Sequence, residues 1–110
     1  MRVIARRTLH AYVASLAGKK DQAAVKAALD AWFHEVRRAN WRNAAEVEEL
    51  YARASIISAD RIVFDIKGNS YRLITAVDFE KSIVWIKWIG THKEYDAVDA
   101  RKVTYDGRRS

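Results

Sequence analysis

Apolar and polar positions follow two different rhythms along the chain, one up to about residue 52 and another from Ser55 onwards. In the first part apolar side chains recur every three or four positions. Within DQAAVKAALDAWFHEVRRAN, residues Val25, Ala28, Leu29, Trp32, Phe33 and Val36 share one helical face. Asp21 stands where an N-cap is needed, and Arg37 and Arg38 sit in the last turn, where they complement the helix dipole. Upstream, Thr8 is placed to cap a second helix, LHAYVASLAG, which Gly18 closes. The short Gly-Lys-Lys link between them predicts a helical hairpin. Met1 to Ala5 alternates as a short edge strand. Asn43 followed by Glu46 resembles a capping box and predicts a short helix through Leu50 and Tyr51.

From Ser55 the period falls to two. DRIVFDIK, SYRLITAVDF and SIVWIKWIG read as strands, separated by Gly68-Asn69 and Glu80-Lys81, both of hairpin-loop length. Thr91 and Glu94 form another capping-box pattern, so a short helix or turn starts at Thr91. The expectation is an α+β domain over residues 1–100, with N-terminal helices packed on one face of a mainly antiparallel sheet. A polar tail follows over 101–110, frayed at its end.

Loop length also predicts which side chains share a face. Two-residue loops set Asp65 opposite Arg72, Val63 opposite Ile74, Ile74 opposite Lys87 and Arg72 opposite Ile89. One face then carries Ile62, Phe64, Ile66, Tyr71, Leu73, Val77, Phe79, Val84, Ile86 and Trp88, and belongs beneath the helices. The other carries Asp65, Lys67, Arg72 and Lys87 among Val63, Ile74, Trp85 and Ile89. Its cations lie towards the Gly68 end, which also receives Gly90, Thr91 and His92. Asp65 and Arg72 read equally as a cross-strand ion pair, worth under about 1 kcal/mol.

Composition narrows the chemistry. Half of the chain is hydrophobic, enough for a core without staples. There is no cysteine, so disulfides, Cys-type zinc sites and a thiol nucleophile are excluded. Twenty Lys and Arg against fourteen Asp and Glu give a net charge of +6, which favours a polyanionic partner such as nucleic acid. No apolar run approaches the roughly 20 residues that cross a bilayer, and the expected setting is the cytoplasm. The three histidines have no metal-ligand spacing, and no phosphate-cradling glycine loop is present. No metal or cofactor is expected.

RNA can be cut without a metal. A base takes the proton of the ribose 2′-OH, that oxygen attacks phosphorus, cations hold the extra negative charge, and an acid protonates the leaving 5′-oxygen. Lys67, Arg72 and Lys87 suit the charge role, Arg gripping phosphate bidentately. His92 suits acid or base work. Tyr95 can donate a proton or stack on a base, and Asp96 can orient a neighbour.

The run IKGNSYRLITAVDFEKSIVWIKWIGTHKEYDAV resembles the C-terminal half of the HigB-type mRNA interferase toxins of the RelE-like superfamily. AWFHEVRRANWRNAAEV and ASIISADRIVFDI resemble that family's long helix and first hairpin strand. The most specific pieces are Lys-Gly-Asn-x-Tyr-Arg at 67–72 and Gly-Thr-His-x-Glu-Tyr-Asp at 90–96. The resemblance implies a RelE-like fold and a type II toxin that cleaves translated mRNA in the ribosomal A site, without cofactor. It further implies a HigA-type helix-turn-helix antitoxin, with operator DNA bound only through that antitoxin. Carried over by motif, Lys67, Asn69, Tyr71 and Arg72 form one part of the site, and His92, Tyr95 and Asp96 the other. Ser70 stands where the family often carries a basic residue. The competing readings are a non-catalytic RNA- or ribosome-binding module, and a protein-interaction domain whose basic patch meets an acidic partner.

Overall fold

The structure, a computed structural model, describes residues 1–103; the end of the expected polar tail lies outside the described residues. Strand β1 (Arg2–Ile4) leads into helix α1 (Arg6–Ser15), α2 (Gln22–Arg38) and α3 (Ala44–Leu50). Strands β2 (Ser55–Ile56), β3 (Arg61–Ile66), β4 (Tyr71–Asp78) and β5 (Ile83–Thr91) follow, then the single-turn helix α4 (His92–Tyr95). The strands form one mixed sheet in the order β1-β5-β4-β3-β2, with β1 parallel to β5 and every other pair antiparallel. The class is α+β, as the two rhythms of the sequence require.

The helical stripe does the expected work. Val25, Leu29, Trp32, Phe33 and Val36 of α2 join Leu9 of α1, Val47 of α3 and alternate residues of the sheet in one buried cluster. Phe64 lies at its centre, fully buried, with the Trp32 ring edge-on at 5.4 Å, Tyr51 edge-on at 5.1 Å and Trp41 stacked at 6.4 Å. Trp41 therefore packs inward, just ahead of α3.

Three helix starts differ from expectation. Helix α1 begins at Arg6, so Thr8 lies inside it, buried, its hydroxyl unpaired among the described residues. Asp21 precedes α2 with helical backbone angles (φ −83°, ψ −7°), which turn its carboxylate away from the helix amides. A capping side chain needs extended backbone at that position. Asn43 has it (φ −163°) and accepts from the Glu46 amide at 3.1 Å. The Glu46 carboxylate bonds the Arg42 amide instead of reaching back to Asn43, so only half of the box forms. At Thr91 both halves are present: the Glu94 amide donates to Thr91 Oγ1 and the Thr91 amide to Glu94 Oε1.

The first hairpin has the predicted register, Asp65 opposite Arg72 and Val63 opposite Ile74. Its loop is longer than expected, spanning residues 67–70, with Lys67 (φ 56°) and Gly68 (φ 66°) both left-handed. In the second hairpin the predicted register holds from Asp78 opposite Ile83 to Thr75 opposite Ile86. It then slips by one residue at Lys87, placing Ile74 opposite Trp88 and Arg72 opposite Gly90. The expected pairings of Ile74 with Lys87 and of Arg72 with Ile89 are thereby overturned. The extra residue is a β-bulge. It lets Ile86 and Ile89 both enter the core, whereas strict alternation buries Trp88 and exposes Ile89. The slip thus exchanges two side chains, seating Ile89 in the core and leaving Trp88 half-buried on the other face.

Candidate RNA-facing corner

Past the bulge, Arg72, Trp88 and Gly90 lie on the face opposite the core, because residues paired across a ladder share a face. The Thr91 capping box then turns the chain into α4 and delivers Tyr95 back over this corner. Tyr95 lies 6.3 Å from Trp88 between ring centroids, and the Arg72 guanidinium stands 5.9 Å from the Tyr95 centroid. The His92 amide donates to the Ser70 carbonyl at 2.9 Å, tying the start of α4 to the loop of the first hairpin. The His92 side chain is exposed.

Arg72 is held firmly. Its Nη1 lies 3.3 Å from Asp65 Oδ1 and donates to the carbonyls of Asn69 at 2.8 Å and Tyr71 at 3.4 Å. The side chain keeps only 14% of its surface exposed. All of these contacts use one nitrogen. Among the described residues, Nε and Nη2 make no hydrogen bond, so the guanidinium is oriented by one edge and retains donors for a ligand. Asn69 contributes through its backbone carbonyl, and its side chain is exposed on the loop.

The other expected cations do not gather here. Lys67, left-handed and therefore outside the strand alternation, turns its ammonium towards Asp21, 3.9 Å away. Lys87, carried by the bulge, stands near Arg61 and Asp60; burial, and secondarily Arg61, push its ammonium below the ordinary lysine range. The expected three-cation corner is thus corrected to a single guanidinium beside α4. Tyr71 points into the core, where its hydroxyl donates to Asp21 at 3.2 Å and its ring meets Tyr12 edge-on at 6.2 Å. Burial first, then the bond to Asp21, raises the Tyr71 pKa. Tyr12 is pushed up to about 12, by burial first and then by the Glu94 carboxylate. Asp96 is exposed at the end of α4.

Beyond α4 the chain returns to the far end of β3, where Arg61 Nη1 donates to the carbonyls of Ala100 (3.0 Å) and Val103 (2.7 Å). Val63 and Ile74 are buried on that face although they lie outside the helix-side cluster. Among the described residues no three His, Asp or Glu side chains are grouped to hold a metal, and no helix is long and apolar enough to cross a membrane.

Trp88 is the residue of this corner that alternation assigns to the wrong face. The signal was present in WIKWI: Ile86 and Ile89 are three apart, each preceded by Trp, a spacing that period two cannot place on one face.

Comparison with known proteins agrees with this architecture. A family model, HigB_toxin, described as the RelE-like toxic component of a toxin-antitoxin system, matches residues 25–98. That span runs from α2 through α4. No curated protein matches the chain.

Proposed function

Since the chain belongs to the HigB toxin family, a RelE-like toxin with an antitoxin partner, we propose that it is an endoribonuclease acting on mRNA during translation, in the ribosomal A site. The observation that carries this reading is the corner where Arg72, Tyr95 and the start of α4 meet. A guanidinium with unused donors can hold the growing charge on a phosphate, and an exposed imidazole and a phenol can move the protons of phosphodiester transfer.

In this reading Arg72 holds the non-bridging phosphate oxygens and offsets the charge that grows on them. The 2′-OH loses its proton to the base, its oxygen bonds to phosphorus, and the bond to the 5′-oxygen breaks. That oxygen leaves with a proton from the acid, and the upstream fragment ends in a 2′,3′-cyclic phosphate. His92 and Tyr95 share the proton transfers. Lys67, beside Asp21, and Lys87, beside Arg61 and Asp60, stand away from the corner and add to the positive field that draws in RNA, while Asn69 and Asp96 border the path. Tyr71 supports the loop from the core side. No metal or cofactor enters this scheme. A HigA-type helix-turn-helix antitoxin neutralises the toxin in the cytoplasm, and the pair reaches operator DNA through the antitoxin.

Induced expression in bacteria tests the reading. Growth arrest with cleavage of translated mRNA is expected, and both are lost in Arg72→Ala and His92→Ala proteins that still bind the antitoxin. If translation stops while mRNA stays intact, the protein is a non-catalytic ribosome- or RNA-binding module. If neither changes, it is an interaction domain.

A further inference from the structure

We propose that Trp88 is a base-stacking residue: with Tyr95 it forms an aromatic shelf that takes one nucleobase of single-stranded RNA while Arg72 holds that nucleotide's phosphate. This rests on the RNA-cleaving reading above and adds a subsite to it.

The bulge at Lys87 is what creates the shelf. Without the slip in register Trp88 belongs to the core; with it, the indole moves to the Arg72 face and stays half-buried. It is absent from the hydrophobic cluster that takes Ile86 and Ile89. The indole lies across Gly90. A Cβ at that position would stand 2.6 Å from Trp88 Cζ2, closer still to Cη2, and 2.8 Å from Glu94 Oε1. The six-membered ring and the α4 cap therefore occupy space that only a glycine leaves free. Gly90 pairs with Arg72 across the ladder, so the indole that lies over Gly90 shares the Arg72 face, and Tyr95 is the ring that neighbours both.

Three groups of the right kind then line up within the span of one nucleotide. Guanidinium and phenol are 5.9 Å apart, phenol and indole 6.3 Å, with the two rings inclined at 49°. The inclination keeps the rings from closing on each other as a parallel stack, and both side chains stay half-exposed. Single-stranded RNA is gripped in this manner, with aromatic faces for bases and cations for phosphates, and such stacking tolerates any base because every base has a π-face. An apolar protein side chain would fill the shelf without using the free donors of Arg72.

The experiment titrates the full chain with a 2′-O-methyl RNA trinucleotide, which cannot be cleaved, and with three versions each carrying one abasic position. Wild type is expected to bind the intact trinucleotide about tenfold more tightly than its most affected abasic form. Trp88→Phe keeps most of that difference, because a benzene ring still stacks, and Trp88→Ala abolishes it. The trinucleotide should also quench tryptophan emission of wild type, and this quench should be missing from Trp88→Phe. That second measurement decides the matter even if Trp88→Ala fails to fold. The proposal is overturned if Trp88→Ala discriminates intact from abasic RNA as wild type does, or if Trp88→Phe shows the full quench. Should wild type cleave translated mRNA yet show no base-dependent binding, the shelf falls and the scission reading stands. Should it neither cleave nor bind RNA, both fall.

Discussion

Tyr71 and Arg72 are neighbours in β4 and end in opposite environments. Tyr71 faces the helices. Its phenol is tied to Asp21, its ring to Tyr12, and Lys67 shares the same carboxylate, so on this side polar groups at the sheet end lock the hairpin loop to the start of α2. Arg72 faces away. One nitrogen is tied to Asp65 and to two carbonyls, and the guanidinium stands beside Tyr95, which in turn neighbours Trp88. One face builds and the other presents. The difference follows from what each side must satisfy. A buried phenol needs a partner to offset its desolvation, whereas a guanidinium with several donors can be oriented through one nitrogen and keep the others for a ligand.

The contrast is broken most sharply by exchanging consequences. Arg72→Ala should lower mRNA cleavage at least about a hundredfold, with a loss of unfolding free energy of about 1–2 kcal/mol. Tyr71→Ala should cost about 3–5 kcal/mol by analogy with other buried aromatics, read as a shift in urea midpoint. An Arg72→Ala protein that unfolds as readily as Tyr71→Ala would show that the guanidinium is mainly structural. Next in size, Lys87→Ala should reduce cleavage less than Arg72→Ala, since its ammonium stands by Arg61 and Asp60 and not at the corner. Equal losses in single-turnover rate would mean that Lys87 reaches the scissile phosphate after all. Smaller again, Tyr71→Phe should cost about 1 kcal/mol, the net worth of one hydrogen bond, and Asp21→Asn should cost a similar amount in the same denaturation assay.

The smallest effect is a slope with pH. The fold favours the neutral Tyr12 phenol, whose pKa rises from 10.0 to about 12. The stability this contributes is complete below pH 10, and it is lost as pH climbs through about 12. Tyr12→Phe should therefore flatten the fall of stability across that interval. An unchanged slope would show that the phenol is not shielded beneath α4.

Much of the fold was legible because its signals are local and repeated. The stripe from Val25 to Val36, the Thr91–Glu94 box and the Asp65–Arg72 register each rest on spacing alone. What was not legible depends on competition between signals. Two-residue loop arithmetic predicts the second hairpin near its turn but carries no signal for the slip at Lys87, which exchanges Trp88 for Ile89 in the core. Asp21 looked like a cap because nothing in the sequence says that its carboxylate is needed by Tyr71, fifty residues later. Alternation predicts a strand face for Lys67, yet a left-handed residue obeys the turn and not the strand. Arg72 and Tyr95 meet all the same, because Arg72 is fixed by the first hairpin and Tyr95 by the capping box, the two best-determined local motifs.

The most direct test is to map new 5′ ends on a defined mRNA in a reconstituted translation reaction, with wild-type toxin and with Arg72→Ala. The account predicts breaks confined to ribosome-occupied codons with wild type, each leaving a 2′,3′-cyclic phosphate upstream, and no breaks with Arg72→Ala. Intact mRNA on arrested ribosomes, or equal cutting by both proteins, would contradict it.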